Sequence, residues 1–204
     1  LYGKPTIVNI VQPLANLPFL AINGSAAYTA IGTPTSPGTR MVAVSGHVKR
    51  PGVYEIVNGS TTFRDIIYGD EFSQGIRDGN DIKAFVPGGG SAPWFVEDQL
   101  DIPFEGTEAN AAGSMLGSGA IMVMASTTDI PAAAYTLTKF YAHESCGKCT
   151  PCREGGTWLM RMLERVIAGH GTDADLDQMR EVGQTICPGD MPPASSERLG
   201  LEVE

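Results

Sequence analysis

The sequence predicts an α+β fold in which a small unit of strands and one helix precedes a helical bundle. Apolar and polar side chains alternate between residues 40 and 57, as they do in half-buried strands. From residue 128 onwards, apolar side chains instead recur at the spacing of one face of a helix. The change of period indicates two kinds of structure along one chain.

The strand unit begins with a predicted hairpin. Its strands cover residues 41–48 and 53–57, and the Pro-Gly pair at 51–52 supplies the turn. Further strands are predicted over 82–86 and 120–124, because both segments are short apolar runs bounded by turn residues.

One helix and one glycine run lie between these strands. Ser60 or Thr61 is predicted to cap the helix, because a hydroxyl oxygen accepts hydrogen bonds from the free N–H groups of a first turn. The helix carries Phe63, Ile66, Ile67 and Tyr68. The run Gly88-Gly89-Gly90 is predicted to be a flexible turn and not a phosphate-binding loop, since no helix signal follows it.

The first 38 residues predict a separate segment. Residues 5–8 are expected to be extended, and a short helix over 12–17 is expected to end at Pro18. Residues 32–38 contain only Gly, Thr, Pro and Ser, a composition typical of a linker. Because the opening residues read like the middle of a protein, we treat the chain as a fragment.

Three helices are predicted in the last third of the chain. Thr128 or Asp129 caps the first, which has Pro131 in its first turn. The second is expected to run from about Thr157 to Gly169, and the third follows it. Their methionine and aromatic side chains are predicted to lie in the core. The apolar positions are Ala133, Leu137, Phe140 and Tyr141 in the first helix, Trp158, Leu159, Met162, Leu163, Val166 and Ile167 in the second, and Leu176, Met179 and Val182 in the third.

Composition and charge exclude two classes of partner. The 204 residues carry a net charge of -9 and only 14 Lys and Arg, so the chain lacks the clustered positive charge that nucleic acids require. No apolar run approaches the roughly 18 residues of a membrane span. Binding to nucleic acid and direct membrane insertion are therefore not expected.

The four cysteines predict an iron-sulfur centre. Cys146, Cys149 and Cys152 follow one another at every third position, and 34 residues separate Cys152 from Cys187, which stands directly before a proline. A compact loop with this spacing supplies three thiolates to three irons of a [4Fe-4S] cluster, and the fourth thiolate comes from a distant position. The loop lies between the first two predicted helices and Cys187 follows the third, so antiparallel packing of the three helices is expected to return Cys187 to the other three.

Two alternatives remain open for the cysteines. Zinc usually takes its four thiolates from two separated C-x2-C pairs, a pattern that this chain does not have. Disulfides are the other alternative, although the triplet is too tightly spaced for ordinary pairing. Lys148 and Arg153 carry positive charge next to the ligands and either raise the potential of a cluster or lie in solvent. His143 is expected to be a surface residue or a neighbour of the ligands.

Residues 144–155, with the sequence ESCGKCTPCREG, closely resemble the cluster loop in the family of flavin-bearing, NADH-oxidising subunits of respiratory complex I. Related hydrogenases and formate dehydrogenases share it. The similarity extends to 117–120, to 132–134 and to the opening residues 3–6. Residues 44–54 resemble the ubiquitin-like β-grasp domain, of the soluble-ligand-binding (SLBB) type, of those subunits.

The resemblance implies a function and a set of partners. In the family, NADH reduces FMN, and the cluster passes the electrons singly to a thioredoxin-like [2Fe-2S] subunit and an iron-sulfur relay subunit. The resemblance implies that Asn9 alone contacts FMN, because Ile10 and Pro13 depart from the family pattern. The glycine-rich FMN and NADH segment of the family has no counterpart here, so the chain is not expected to oxidise NADH alone. A bacterial cytoplasm, at the peripheral arm of a membrane complex, or a mitochondrial matrix is implied.

The predicted organisation has three parts. Residues 1–38 are the end of an FMN- and NADH-binding domain with its linker, residues 39–104 are the β-grasp domain, and residues 105–204 are the helical iron-sulfur domain. Two other hypotheses assign the chain a different function. In the first, the chain is a non-catalytic interaction module with zinc or no metal. In the second, it is a ligand-binding β-grasp domain of the kind found in polysaccharide-export proteins.

Overall fold

The computed structural model describes residues 1–186. It contains two compact units, Leu1–Ala125 and a second unit that begins at Ser126. A four-stranded mixed sheet and six α-helices make up the described part, so the predicted mixture of strands and helices is confirmed. None of the helices in residues 1–186 has the length and apolar character required to cross a membrane.

The sheet of the first unit has the order β2-β1-β4-β3, with β1 at Thr39–Gly46, β2 at Gly52–Val57, β3 at Ile82–Val86 and β4 at Ala120–Ala125. β1 and β2 form the predicted antiparallel hairpin. β4 pairs parallel with β1 and antiparallel with β3. The centre of the sheet is therefore a parallel pair whose strands are far apart in sequence.

The position of β4 bears on the predicted division of the chain. The boundary predicted after residue 104 falls inside the first unit and would separate β4 from the strands with which it pairs. A parallel pair requires a long crossover connection. Such a pairing leaves no local trace in the sequence, because it depends on where a distant strand returns.

Helix α2 (Phe63–Tyr68) is capped one residue later than predicted. Thr62 is the N-cap, and it forms a reciprocal capping box with Asp65. The Asp65 N–H donates to Thr62 Oγ1 at 3.1 Å, and the Thr62 N–H donates to Asp65 Oδ2 at 2.9 Å. Neither Ser60 nor Thr61 has an acidic residue three positions later that could complete such a box.

The core of the first unit is centred on Phe63. Its ring centroid lies 5.2 Å from that of Phe85, 5.7 Å from that of Phe95 and 5.3 Å from that of Phe104. All four rings are buried. Such tilted contacts add to the hydrophobic stabilisation, because ring edges meet ring faces. Phe63 therefore packs α2 against three other segments of the first unit, those that contain Phe85, Phe95 and Phe104.

The glycine run after β3 is held closely by a second loop. A Cβ atom on Gly88 would lie 2.1 Å from the Leu116 carbonyl. The Ser118 N–H donates to Gly88 O at 2.9 Å, and the Gly89 N–H donates to Ala120 O at 2.7 Å. The segment is a turn, as predicted, but these contacts fix it in place.

The linker over residues 32–38 is held by a buried carboxylate, that of Glu105, which directly precedes α3 (Gly106–Ala111). The hydroxyls of Thr35, Ser36 and Thr33 all donate to Glu105 Oε1, with Ser36 Oγ at 3.2 Å and Thr33 Oγ1 at 3.4 Å. The hydrogen bond from Thr35, followed by those of its neighbours, lowers the pKa of Glu105. A segment predicted from composition to be a simple linker is thus anchored to the sheet unit.

Helix α1 (Val11–Thr29) is longer than predicted and continues past Pro18. The prediction that Pro18 ends the helix is wrong. A proline lacks its own N–H and disturbs one turn, but the next residues resume helical geometry. The helix is instead interrupted at Gly24, where φ is 79°. None of its residues is buried.

The second unit contains α4 (Ile130–Glu144), α5 (Thr150–Ile167) and α6 (Asp173–Ile186). Asp129 caps α4, as predicted, by accepting the Ala132 N–H at 3.0 Å. Neighbouring helices are antiparallel, because the start of each lies against the end of the one before. Ala142 near the end of α4 lies against Gly156 in α5, and Val166 near the end of α5 lies against Gly171 just before α6. Ile186 at the end of α6 lies against Gly155 near the start of α5.

Three aromatic side chains of these helices are not in the core. Phe140, Tyr141 and Trp158 are 56%, 43% and 53% exposed, so the prediction that they are core residues is wrong. Met162, in contrast, is buried. Three antiparallel helices bury only one stripe of each helix, and residues at the edge of that stripe stay accessible.

Candidate metal centre

The three closely spaced cysteines lie where α4 gives way to α5. Cys146 is in the connecting loop, Cys149 is the N-cap residue of α5, and Cys152 is in its first turn. The sequence predicted the whole triplet in a loop and α5 from near Thr157, which is wrong for Cys152. Helix α5 starts at Thr150 because Pro151 is favourable in a first turn, where its missing N–H has no partner to lose.

Two glycines explain why the early start of α5 is hidden in the sequence. Gly155 and Gly156 are poor helix formers and usually indicate a turn. Here they let neighbouring helices approach. A Cβ on Gly155 would lie 2.9 Å from Ile186 Cδ1 and 3.0 Å from Val182 Cγ1 on α6, and one on Gly156 would lie 3.5 Å from Ala142 on α4.

All three cysteines are free thiols, and Cys146 and Cys149 are exposed, while Cys152 is half-buried. Within residues 1–186, no three His, Cys, Asp or Glu side chains surround a point where a single metal ion would bind. A zinc ion needs all its sulfur ligands at about 2.3 Å from one point. In a [4Fe-4S] cluster each thiolate binds a different iron, so three thiols in one short segment match three of its four irons.

Ser145 connects the loop to the helix. Its Oγ lies 3.5 Å from Cys152 Sγ, within hydrogen-bonding distance for sulfur. The same oxygen accepts the Gly147 N–H at 3.3 Å. Ser145 thus contacts the side chain of one cysteine and the backbone that follows another.

Arg153 closes the loop from the other side. Its Nη1 donates to Gly147 O at 2.7 Å, and its Nε pairs with Glu154 Oε1 at 2.9 Å. Gly147 has a φ of +72°, a left-handed conformation that glycine adopts without strain. The sequence left two roles open for Arg153, which were to raise the potential of a cluster or to lie in solvent. The structure adds a third role, since Arg153 binds the backbone of the cysteine loop.

The first turn of α5 adds a favourable field. Backbone N–H groups at a helix N-terminus point outward and carry the positive end of the helix dipole. Cys149 and Cys152 flank this end. Thiolates or an anionic cluster are more stable there than at the opposite end of a helix.

The remaining predicted site residues are not gathered by the described structure. His143 is exposed, and its Nδ1 lies 2.9 Å from Glu144 Oε1. Asn9 is exposed in the segment before α1, in the first unit. Cys187 lies outside the described residues. Its predicted role stays a prediction, as do those of the other cysteines and of Asn9.

Comparison with protein families matches residues 132–190 to the NADH-ubiquinone oxidoreductase-F iron-sulfur binding region. This segment is therefore similar to the iron-sulfur binding part of that family. The match runs from the first turn of α4 through the triplet and past Cys187. The resemblance first recognised in the cysteine loop is therefore confirmed.

Curated relatives extend the similarity to most of the chain. The F subunit of NADH-quinone oxidoreductase from Mycobacterium tuberculosis is 40% identical over 186 residues, which are 91% of this chain and 41% of the relative. The F subunit from Streptomyces coelicolor is 41% identical over the same number of residues, and one of Rhizobium meliloti is 40% identical over 192. The chain spans about two fifths of the length of these relatives.

Solved structures agree with the sequence relatives. The chain is similar to an NAD+-reducing [NiFe]-hydrogenase in its H2-reduced state, with a TM-score of 0.76 and 30% identity over 98% of this chain and 32% of that chain. The air-oxidised state of such a hydrogenase gives a TM-score of 0.77 and 29% identity. The mixed α/β fold is therefore one that oxidoreductases contain.

Three residues of this centre have contacts that the sequence does not reveal. Gly155 is hidden by the usual association of glycine with turns. Ser145 carries no pattern of its own, although a hydroxyl directly before a cysteine triplet is well placed to contact sulfur. Arg153 attracts attention for its charge, but its guanidinium is a rigid fork that recognises backbone oxygens as well.

Proposed function

We propose that this chain is the electron-relay part of an NADH:quinone oxidoreductase-type flavin subunit, with one [4Fe-4S] cluster bound by Cys146, Cys149, Cys152 and Cys187. The observation that carries the proposal is the set of three free thiols around the start of α5, inside a segment that matches an iron-sulfur binding region. When bound, such a cluster accepts and releases one electron at a time.

The ligand set favours electron transfer over chemistry on a substrate. Four cysteine thiolates occupy one position on each of four irons, so no iron is open to a substrate. The exposure of Cys146 and Cys149 supports the same role, because electrons leave through the accessible side of a centre. Ser145, Arg153 and the N-terminus of α5 hold the ligand-bearing backbone and do not themselves react.

Helix packing supports Cys187 as the fourth ligand. Ile186, which directly precedes it in sequence, packs against Gly155, three residues beyond Cys152. The last described residue therefore lies against the first turns of α5, the helix that contains Cys152. A ligand from a distant position complements three ligands from one loop.

The finer fold assignment is part of the same proposal. We assign the part of the first unit that follows residue 38 to the ubiquitin-like β-grasp fold of SLBB type, because β1 and β4 form a central parallel pair and α2 packs on one face of the sheet. We assign the second unit to a helical iron-sulfur domain, because α4, α5 and α6 pack antiparallel around Gly155 and Gly156.

Residues 1–38 are proposed to be the end of an FMN- and NADH-binding domain. Large apolar side chains of this segment are exposed, and Ile7, Val8 and Val11 are each more than 80% accessible. Surfaces of this kind usually pack against other parts of a protein. Asn9, between Val8 and Ile10, is the proposed FMN contact. NADH oxidation then depends on that domain and not on the chain alone.

The proposed partners are redox subunits of a complex I-like, hydrogenase or formate dehydrogenase assembly. A thioredoxin-like [2Fe-2S] subunit and an iron-sulfur relay subunit would exchange electrons with the cluster. The proposed compartment is a bacterial cytoplasm or a mitochondrial matrix, because both keep thiols reduced. The acidic net charge of -9 supports a protein partner over nucleic acid.

Metal content tests the proposal directly. The full chain is purified without oxygen, and iron, acid-labile sulfide and zinc are measured, with low-temperature EPR after reduction by dithionite. About four irons and four sulfides per chain are expected, because a cubane has that composition. Zinc, or no metal, would refute the relay and favour the interaction module.

Variants at the cysteines identify the ligands. Cys187→Ala is compared with Cys146→Ala, Cys149→Ala and Cys152→Ala, and Ser126→Ala, at an exposed position of the second unit, is the matched control. Each cysteine variant is expected to lose or alter the EPR signal, whereas the control retains it. A Cys187→Ala variant with wild-type iron content and an unchanged signal would exclude Cys187 as a ligand.

A further inference from the structure

The side chains of Ser145 and Arg153 both contact the loop that carries the cysteines, although neither residue is a proposed ligand. We propose that the two residues are positioning residues of the cluster: Ser145 donates a hydrogen bond to the Cys152 thiolate, and Arg153 fixes the backbone turn between Cys146 and Cys149. This inference rests on the proposed function, since it needs a cluster at the triplet.

The direction of the Ser145 hydrogen bond follows from its second contact. Ser145 Oγ accepts the Gly147 N–H at 3.3 Å, which occupies an oxygen lone pair. The hydroxyl proton is then left for Cys152 Sγ, 3.5 Å away. When Cys152 is a metal-bound thiolate it has no proton to give, so Ser145 must be the donor.

A hydrogen bond to a ligand sulfur changes the properties of a cluster. Reduction adds negative charge to the cluster, and a donor aimed at sulfur stabilises the reduced state more than the oxidised one. Ser145 is therefore expected to raise the reduction potential. Cys152 is half-buried, whereas Cys146 and Cys149 are exposed. Because water screens it less, a hydrogen bond at Cys152 acts more strongly than one at either exposed ligand.

Arg153 acts on the geometry of the loop. Its Nη1 holds Gly147 O at 2.7 Å, and its own backbone N–H donates to Cys149 O at 3.0 Å. One residue thus bonds to the backbone on both sides of Lys148. Glu154 holds the guanidinium through Nε at 2.9 Å, which limits its rotation. This arrangement fixes the turn between the first two proposed ligands.

The guanidinium is needed for its shape as well as its charge. Lysine is a point charge on a flexible stem, whereas the planar guanidinium donates in two directions at fixed angles. Arg153 uses one edge for Glu154 and another for Gly147 O. Arg153→Lys keeps the charge and removes this double contact. It therefore separates a positioning role from a simple electrostatic one.

The test begins with the full wild-type chain, loaded anaerobically with iron and sulfide. EPR-monitored redox titration gives its reduction potential, and loss of visible absorbance gives the lifetime of its cluster under a chelator. A wild-type chain without a four-iron cluster would refute the proposed function and this inference together. A loaded wild-type chain allows the variants to test the inference alone.

Ser145→Ala, Ser145→Thr and the control Ser126→Ala are then compared. Ser145→Ala is expected to move the potential downwards, by about 59 mV if the oxidised-to-reduced ratio at a fixed potential changes tenfold. Ser145→Thr retains the hydroxyl and is expected to restore the wild-type potential. A Ser145→Ala variant with the potential of Ser126→Ala would overturn the hydrogen bond. So would equal effects of the alanine and threonine variants.

Arg153→Lys is compared with Arg161→Lys, an exposed position further along α5. Arg153→Lys is expected to shorten the lifetime of the cluster severalfold at an unchanged helical circular dichroism signal. Arg161→Lys is expected to leave it unchanged. Equal lifetimes in the two variants would overturn the positioning role of Arg153. If a variant loads no cluster, its helical signal distinguishes a misplaced loop, which supports the role, from general unfolding, which counts against it.

Discussion

A Cβ atom on Gly155 would lie 2.9 Å from Ile186 Cδ1, so the backbone of α5 meets the side chain of the residue before Cys187 without a gap. Few Cβ atoms come this close to a neighbouring carbon, and glycine alone allows it. The contact joins the first turns of α5, which carry Cys149 and Cys152, to the end of α6. The last described residue is therefore packed against the helix that contains Cys152.

Gly155→Ala is expected to destabilise the protein by about 1–3 kcal/mol, because the added methyl group overpacks the contact with Ile186 and Val182. Gly183→Ala on α6 is the matched control, since nothing lies within 4 Å of its Cβ position. It is expected to stabilise by about 0.5–1 kcal/mol through helix propensity. Urea unfolding followed by circular dichroism measures both. Equal effects of the two alanines would contradict the close packing.

Glu105→Gln is expected to weaken the protein in a pH-dependent manner. The hydroxyls of Thr35, Ser36 and Thr33 lower the pKa of Glu105 in the folded state, below its ordinary value of 4.5. A carboxylate whose pKa is lower in the folded state than in the unfolded state stabilises the protein at pH values above its unfolded-state pKa. That stabilisation is lost as the pH falls through its folded-state pKa. The difference in Tm between wild type and variant should be largest near neutral pH and shrink below about pH 4.5.

Glu108→Gln, at an exposed position of α3, controls for the loss of one negative charge. Thermal unfolding of the three proteins across the acid range provides the measurement. If the Glu105→Gln and Glu108→Gln proteins follow the same pH dependence, the carboxylate of Glu105 does not hold the linker.

Gly88→Ala is expected to cost at least about 3 kcal/mol, because its methyl group would meet the backbone of Leu116, which cannot move aside as a side chain can. The added carbon would lie 2.1 Å from that backbone. Gly106→Ala is the control, as no atom lies within 4 Å of its Cβ position. The free energy of unfolding in urea distinguishes them. A tolerated Gly88→Ala would indicate an open, flexible turn, as the composition alone predicts.

Ser73→Ala is expected to stabilise the first unit by about 1 kcal/mol, because its hydroxyl has no hydrogen-bond partner within residues 1–186 although it is fully buried. Ser114→Ala is the contrasting variant. Ser114 is also buried, but its Oγ donates to Pro93 O at 2.6 Å, so its loss should destabilise by about 1 kcal/mol. Differential scanning calorimetry of both variants tests the pair, and a lower Tm for Ser73→Ala would contradict it.

Much of the architecture was predictable because local patterns determine it. The hairpin of β1 and β2 follows from alternating side chains around a Pro-Gly turn, and β3 and β4 follow from apolar runs. Asp129 is one of the two caps predicted for α4, because it precedes a proline-containing first turn. The iron-sulfur region was recognised from the spacing of the cysteines and the residues between them.

Other features were missed because one residue type serves two purposes. Pro18 predicts the end of α1, yet a proline within an exposed helix disturbs a single turn. The predicted helix start near Thr157 leaves out Gly155 and Gly156, yet both lie within α5 and allow neighbouring helices to approach closely. The exposure of Phe140, Tyr141 and Trp158 was missed because an aromatic residue is usually buried, and only the packing reveals which face it occupies.

The sequence by itself determined which chemistry the chain contains: four cysteines in a pattern suited to an iron-sulfur cluster, in a composition with little positive charge. The tertiary structure decided how the described part is assembled. It paired β4 with β1 across a long connection, directed Glu105 to the linker, and brought Ser145 and Arg153 onto the cysteine loop. Some of these contacts join residues that are distant in sequence, and others depend on where a side chain points. A sequence pattern records the spacing of residues but not the direction of their side chains.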